Sequence, residues 1–325
     1  MSLPAEFELI RRYFAPLSGP GSLSLADDAA ILQPRPGWSM VATVDTVISG
    51  VHFLPEDPPD LVARKALRVN LSDLAAMGAE PVGYLLVTAL PSATDEAWVA
   101  RFAQGLAQDQ AEFAIGLLGG DSAATPGPLT ITITALGQIE AGRALLRSGA
   151  SPGDRVYVSG TLGDGAFGLK IARGGGSGIE AAARAHLLER YRLPRPRLRL
   201  GRRLVGLATA ALDVSDGLVG DLRHICEASK VGAAVESVRV PLSPAARALI
   251  EAGEASLAEA LTGGDDYELL FTAPTEAEPA LARIAAELDL PLTRVGEIRA
   301  DPGLDVLDES GRPLALGSGG YRHFG

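Results

Sequence analysis

The sequence predicts an α/β protein built as two domains, and three observations carry that prediction. The chain has 325 residues, long for one hydrophobic core and ample for two. Runs rich in β-branched residues alternate along its length with stretches of helical period. The alternation also restarts: after Gly149 a new strand follows the turn-rich segment IEAGRALLRSGASPGD. The boundary is therefore expected within residues 138–152, dividing the chain into residues 1–140 and 141–325.

The first half reads as strands at residues 39–48 (SMVATVDTVI), 82–90 (VGYLLVTAL) and 129–139 (LTITITALGQI). Helices near residues 60–77 and 95–113 lie between them. Pro58 and Pro59 open the first helix, and Gly78 stands where a C-terminal cap belongs. The second half begins with a strand at 154–158, followed by helices near 164–173, 179–190 and 197–207. A strand at 210–214 and helices near 218–229, 244–252 and 276–288 come next, with strands near 266–273 and 292–299. The glycines at 174–176 read as a surface loop.

Composition excludes several classes of protein. Hydrophobic residues make up 47% and charged residues 21%, the balance of a folded globular chain. Every long apolar run is broken by Gly, Pro or a charge, so no membrane span is expected. The opening MSLPAEFELIRRYF has no signal-peptide core. The one cysteine, Cys226, allows no internal disulfide, fits a cytoplasmic location and falls in a helical apolar pattern, reading as a packed thiol. A net charge of −11 with a pI near 4.9 argues against a nucleic-acid partner. The one basic run, RLPRPRLRLGRR at residues 192–203, reads as a solvated helix face.

Familiar motifs are weak or missing. GDGAFG at residues 163–168 matches the glycine spacing of a dinucleotide loop, but four residues separate it from its strand and no second strand follows directly. None of the three lysines directly follows a glycine, which excludes a P-loop. The four histidines lack zinc spacing, and no nucleophile elbow occurs.

What remains is a set of aspartates at strand ends, beside glycines and on helix faces. Asp27 and Asp28 precede a strand, and Asp45 sits inside one, where a carboxylate is unfavourable without a partner. Asp73 borders the buried stripe of its helix. Asp121 follows Gly119 and Gly120, read as a sharp turn. Asp213 ends a strand, Asp216 stands near a helix N-terminus, and Asp265 and Asp266 follow two more glycines. Asp216 also reads as an ordinary cap, Asp27 as a turn residue, Asp266 as a strand-edge residue and Asp221 as an exposed helix residue. Together, acidic groups at Gly-bounded strand ends point to a binding crevice. Carboxylates about 4 Å apart repel by about 4 kcal/mol at an effective dielectric near 20. Oxygen-only ligands of this kind select Mg²⁺ or Ca²⁺, and Mg²⁺ held by carboxylates signals phosphoryl transfer.

The ordered blocks VDTVISGVHF, VNLSDLAAMGAEP, LLGGDS, LLRSGASPGD, DVSDGLVGDL, GGDDYELLF and GGYRHF resemble the thiamine-monophosphate kinase family, within the aminoimidazole ribonucleotide synthetase superfamily. The resemblance runs from about Phe7 to Phe324. It implies an N-terminal α/β domain whose sheet pairs with its copy in a homodimer, and a larger C-terminal α/β domain. It also implies the reaction of ATP with thiamine phosphate to give thiamine diphosphate and ADP, with two or more Mg²⁺ ions.

Carried over position by position, Asp28, Thr43, Asp45, Asp73, Asp121, Asp213, Ser215 and Asp216 would ligate or surround Mg²⁺. Val44, where the family often has a hydroxyl residue, would offer only its backbone. Gly120, Asp121 and Arg147 match nucleotide-contacting positions. His52, Asp265 and Tyr321 match the thiamine side, although the family usually has the longer Glu where Asp265 stands. Leu25 and Ala26 stand where the family usually has glycines. No general base is expected, because the acceptor is a phosphate monoester with a second pKa of about 6, already anionic at neutral pH. The implied mechanism is direct in-line transfer without a phosphoenzyme. Three other readings stay open: a superfamily enzyme with a different acceptor, a non-catalytic nucleotide-binding maturation protein, and a dehydrogenase holding NAD at Gly163–Gly168.

Overall fold

The period-two runs of the first half assemble into one four-stranded sheet. In the computed structural model, which describes residue 4, residues 6–314 and residue 316, the elements run α1 (Glu6–Leu9), β1 (Trp38–Ile48), α2 (Pro59–Ala76), β2 (Glu80–Pro91), α3 (Glu96–Phe113), β3 (Gly116–Thr125) and β4 (Thr130–Glu140). The strand order is β1-β4-β2-β3, antiparallel except for the parallel β2/β3 pair. Register sets the faces. Asp45 lies opposite Ile133, Ile133 opposite Leu86, and Leu86 opposite Gly120. This row belongs to the face that buries Tyr84, Leu86, Ile133 and Ala135. Helix α3 reaches that face through Gln110 Nε2, which donates to the Tyr84 hydroxyl at 3.0 Å. Between α2 and α3, fully buried Asp109 accepts from Arg64 Nε and from Arg68 Nε, each at 2.7 Å. The opposite face leaves Met40, Val44, Leu85 and Val87 exposed.

One sequence expectation fails here. Gly119 and Gly120 do not make a sharp turn; both run within β3, paired with β2. A Cβ on Gly120 would stand 1.8 Å from the Leu86 carbonyl oxygen, so glycine serves close strand approach at that point.

The second half continues with β5 (Arg155–Ser159), α4 (Asp164–Ala172), α5 (Ala181–Arg192), α6 (Leu198–Leu204), β6 (Ala210–Asp213), α7 (Leu218–Ser229), β7 (Gly232–Glu236), α8 (Pro244–Glu251), α9 (Leu257–Thr262), β8 (Leu269–Ala273), α10 (Glu278–Leu288), β9 (Leu292–Arg299) and β10 (Gly303–Leu307). Its six-stranded mixed sheet has the order β10-β7-β9-β5-β8-β6. One core joins Val156, Val158, Leu212 and Leu270 to Leu222 and Ile225 of α7. A second joins Tyr157 and Phe271 to Leu200 of α6 and Leu281 of α10. A third, between helices, centres on Phe167, Leu187 and Leu249. Cys226 is a packed thiol as expected, and burial pushes its pKa up to about 11. The short strands β7 and β10 and the helix α9 escape the sequence reading, because five or six residues such as GAAVE give too little periodicity.

The chain divides into two units, Met1–Leu74 with Ala79–Gly142, and Ala75–Gly78 with Arg143–Gly325. The last residues of α2 thus belong with the second unit.

Candidate functional site

In the first unit, strand alternation turns Thr43 and Asp45 to the same side of β1 and Val44 to the other, where it is 59% exposed. Asp73 meets them from α2. Thr43 Oγ1 donates to Asp73 Oδ2 at 2.5 Å, and the Asp45 N–H donates to Asn70 Oδ1 at 3.1 Å. Asn70 is held by its own donation to the Ala66 carbonyl at 3.0 Å, and it is fully buried. Asn70 has no role in the sequence reading; its i, i+3 spacing from Asp73 is the available signal. Burial pushes the Asp45 pKa up to about 6, and the neighbouring Asp73 carboxylate adds to the rise. Two carboxylates here share a space that favours one negative charge over two.

Asp28 and Asp121 line a different place, a cleft of about 560 Å³ walled by Phe7, Phe14, Leu32 and Leu85 and also bordered by Gly120. Asp121 lies opposite Val87 in the β2/β3 register, one row on from Gly120. The register therefore puts Asp121 and Asp45 on opposite faces of the sheet. Asp121 Oδ1 accepts from the Ser122 N–H at 2.8 Å. His52 sits in the turn after β1, where its Nδ1 accepts from the Ile48 N–H at 3.1 Å, fixing the ring.

In the second unit, the segment after β6 lies against the loop GGDDYE. The Asp265 N–H donates to the Ser215 carbonyl at 3.0 Å, the Tyr267 N–H to the Val214 carbonyl at 2.8 Å, and the Val214 N–H to the Glu268 carbonyl at 2.8 Å. Glycine makes this approach possible: a Cβ on Gly264 would stand 2.1 Å from the Ser215 oxygen. Asp213, Ser215 and Asp216 of the expected metal set thus share one framework with Asp265 of the expected acceptor set. Asp221 joins them. It is buried at 4% exposure rather than exposed on its helix, and its Oδ2 accepts the Asp216 N–H at 3.0 Å. Burial pushes its pKa up to about 7, and the Asp216 charge raises it further. Exposed Arg147 follows Leu146, whose carbonyl accepts the Ala211 N–H of β6 at 2.9 Å, and its charge acts against that rise.

The glycine motif at residues 163–168 holds an internal carboxyl group. Gly163 and Gly165 donate their N–H groups to Asp266 at 2.7 and 3.0 Å, and the chain goes on into α4. Asp266 is no strand-edge residue: it is buried, and burial pushes its pKa up to about 8. Glu268, fully buried, accepts from Arg190 Nη2 at 3.0 Å, from Arg197 Nε at 2.6 Å and from Ser159 Oγ at 2.6 Å. The basic run is therefore not simply a solvated face, since Arg197 closes a buried ion pair.

Among the described residues, no group of three or more His, Cys, Asp or Glu side chains forms a ready metal site. The donor chemistry nevertheless suits a hard cation, because Asp45 beside Asp73, and Asp221 beside Asp216, set carboxylate against carboxylate. Tyr321 lies outside the described residues. No helix among the described residues is long and apolar enough to cross a membrane.

Comparison with known proteins gives concordant matches. Residues 26–139 match the family described as AIR synthase related protein, N-terminal domain, and residues 151–309 its C-terminal domain. The thiamine-monophosphate kinase of Caulobacter vibrioides is 43% identical over 98% of this chain and 91% of its own. The crystal structure of thiamine-monophosphate kinase from Stenotrophomonas maltophilia K279a superposes with a TM-score of 0.85 at 43% identity, covering 97% of this chain and 99% of that one. The structure of AaThiL complexed with AMPPCP and TMP superposes with a TM-score of 0.79 at 30% identity, covering 98% and 97%.

Proposed function

The chain belongs to the thiamine-monophosphate kinase family, and from that premise we propose that it transfers the γ-phosphoryl group of ATP to the phosphate of thiamine phosphate, giving thiamine diphosphate and ADP. The observation that carries the reading is the near full-length match to a relative holding AMPPCP and TMP together. An ATP analogue beside a phosphate-bearing acceptor is the pairing this reaction requires.

The residues divide the work by their chemistry. Thr43, Asp45 and Asp73 offer one set of hard oxygen ligands, with the Val44 carbonyl beside them. Asp213, Ser215 and Asp216 offer another, and Asp28 and Asp121 a third. Two or more Mg²⁺ ions would be held there, and when bound they supply neutralisation of the transferring phosphoryl oxygens. Gly120 and Arg147 are assigned to the nucleotide, Arg147 as a guanidinium suited to phosphate oxygens. His52, Asp265 and Tyr321 are assigned to thiamine phosphate, whose thiazolium cation suits an acid and whose flat ring suits an aromatic face. The acceptor oxygen is anionic at neutral pH, so the protein's task is to align it in line and exclude water, without a general base.

Exposed Met40, Val44, Leu85 and Val87 on the outer sheet face support pairing with a second copy of the chain. A dimer mass in sedimentation at micromolar concentration is the expected result; an active monomer would contradict it. The buried reduced thiol of Cys226 fits a cytoplasmic setting. The reaction itself is tested by following ADP release with thiamine phosphate, against other phosphorylated acceptors under the same conditions.

A further inference from the structure

Residues 265–268, at the end of the loop, alternate between part-exposed and buried. Asp266 and Glu268 are buried, while Asp265 and Tyr267 are part-exposed between and beside them. The buried pair is anchored on both sides: Asp266 by the N–H groups of Gly163 and Gly165, and Glu268 by Arg190, Arg197 and Ser159. Arg190 Nη2 also donates to the Asp266 carbonyl at 3.0 Å. Asp265 and Tyr267 both take left-handed backbone, with φ of 71° and 51°. Non-glycine residues hold such angles only where their surroundings fix them. The two anchors and the backbone pairing to Val214 and Ser215 are that fixing. The outcome is that the Tyr267 hydroxyl reaches the Asp265 carboxylate, donating to Oδ1 at 3.3 Å.

We infer that Tyr267 is a positioning residue for the acceptor site, its hydroxyl aiming the Asp265 carboxylate at the cationic substrate. The inference rests on the assignment of Asp265 to thiamine phosphate. It also gives the shorter side chain a physical role: where an acid lacks a methylene of reach, a fixed donor keeps it directed. Tyr267 acts on binding of the acceptor and leaves the nucleotide side untouched.

The test is a kinetic cycle on the full chain with Tyr267→Phe, Asp265→Asn and the double variant. Tyr267→Phe removes one hydroxyl and keeps the ring, so the melting temperature should stay close to wild type. Its KM for thiamine phosphate should rise roughly three- to tenfold, as expected for the loss of one hydrogen bond of ordinary strength, this one being long at 3.3 Å, with the KM for ATP unchanged. The double variant should match Asp265→Asn alone, because the hydroxyl works only through that carboxylate. An unchanged KM in Tyr267→Phe, or additive effects in the double variant, would overturn the inference while leaving Asp265 in place. If Asp265→Asn itself leaves the KM for thiamine phosphate unchanged, the assignment of Asp265 falls, and the role of Tyr267 falls with it.

Discussion

Two kinds of buried or half-buried acid coexist in this protein. Asp109 rests between Arg64 and Arg68, and Glu268 between Arg190 and Arg197. Asp45 instead faces Asp73, and Asp221 faces Asp216, with the first of each pair pushed well above the ordinary carboxylate range. An acid between guanidinium groups has its charge answered within the fold, and removing it harms the fold. An acid set against another acid is costly until a cation arrives. The neighbours of a carboxylate thus say more about what it costs the fold than its burial does.

The largest effect expected from this contrast is on turnover. Asp45→Asn and Asp213→Asn should each lower kcat by on the order of 100-fold or more, as for loss of one transition-state charge contact, while the melting temperature is kept. Glu268→Gln should do the reverse. It strands two guanidinium groups and should cost about 3–5 kcal/mol of stability, read as an earlier denaturant midpoint. A Glu268→Gln protein with wild-type stability, or an Asp45→Asn protein that fails to fold, would erase the distinction.

A smaller effect is expected with pH. Protonation near pH 6 at Asp45 and near pH 7 at Asp221 occurs above the ordinary carboxylate value, so the folded state binds more protons than the unfolded one in that window. Stability of the metal-free protein should therefore fall as pH rises through 6 and 7. On the proposal that Asp45 holds Mg²⁺, the metal would compete with the proton there, and the rise in melting temperature on adding Mg²⁺ should be small near pH 5 and full near pH 8. Asp45→Asn should flatten the lower part of that profile. The smallest effect is at the C-terminal tail, where Tyr321→Ala should raise the KM for thiamine phosphate several-fold, in line with a stacking contribution of about 0.5–1.5 kcal/mol. A change confined to the KM for ATP would move Tyr321 to the nucleotide side.

The sequence made much of this visible, for physical reasons that differ by residue. Asp45 was legible because a lone carboxylate inside VATVDTVI violates the strand pattern, and its neighbour Val44 faces away as strict alternation requires. The segment GGDS reads as a turn because paired glycines ordinarily punctuate structure, whereas in the fold they let two backbones approach. Asp221 reads as exposed because it is charged, yet its spacing from Leu218 and Ile225 sets it on the buried face of its helix, where the Asp216 N–H meets it. Asp266 and Glu268 were not legible as anchors, since their partners at Gly163, Arg190 and Arg197 lie about 70 to 100 residues away. Long-range pairing of this kind leaves no periodic trace.

Formation of thiamine diphosphate from ATP and thiamine phosphate, followed over a Mg²⁺ titration in wild type and Asp45→Asn, tests the central claim most directly. Turnover that requires Mg²⁺ in the wild type and is nearly lost in the variant, at unchanged melting temperature, is the predicted result. Equal turnover by the two proteins, or full wild-type turnover with divalent ions chelated, would contradict it.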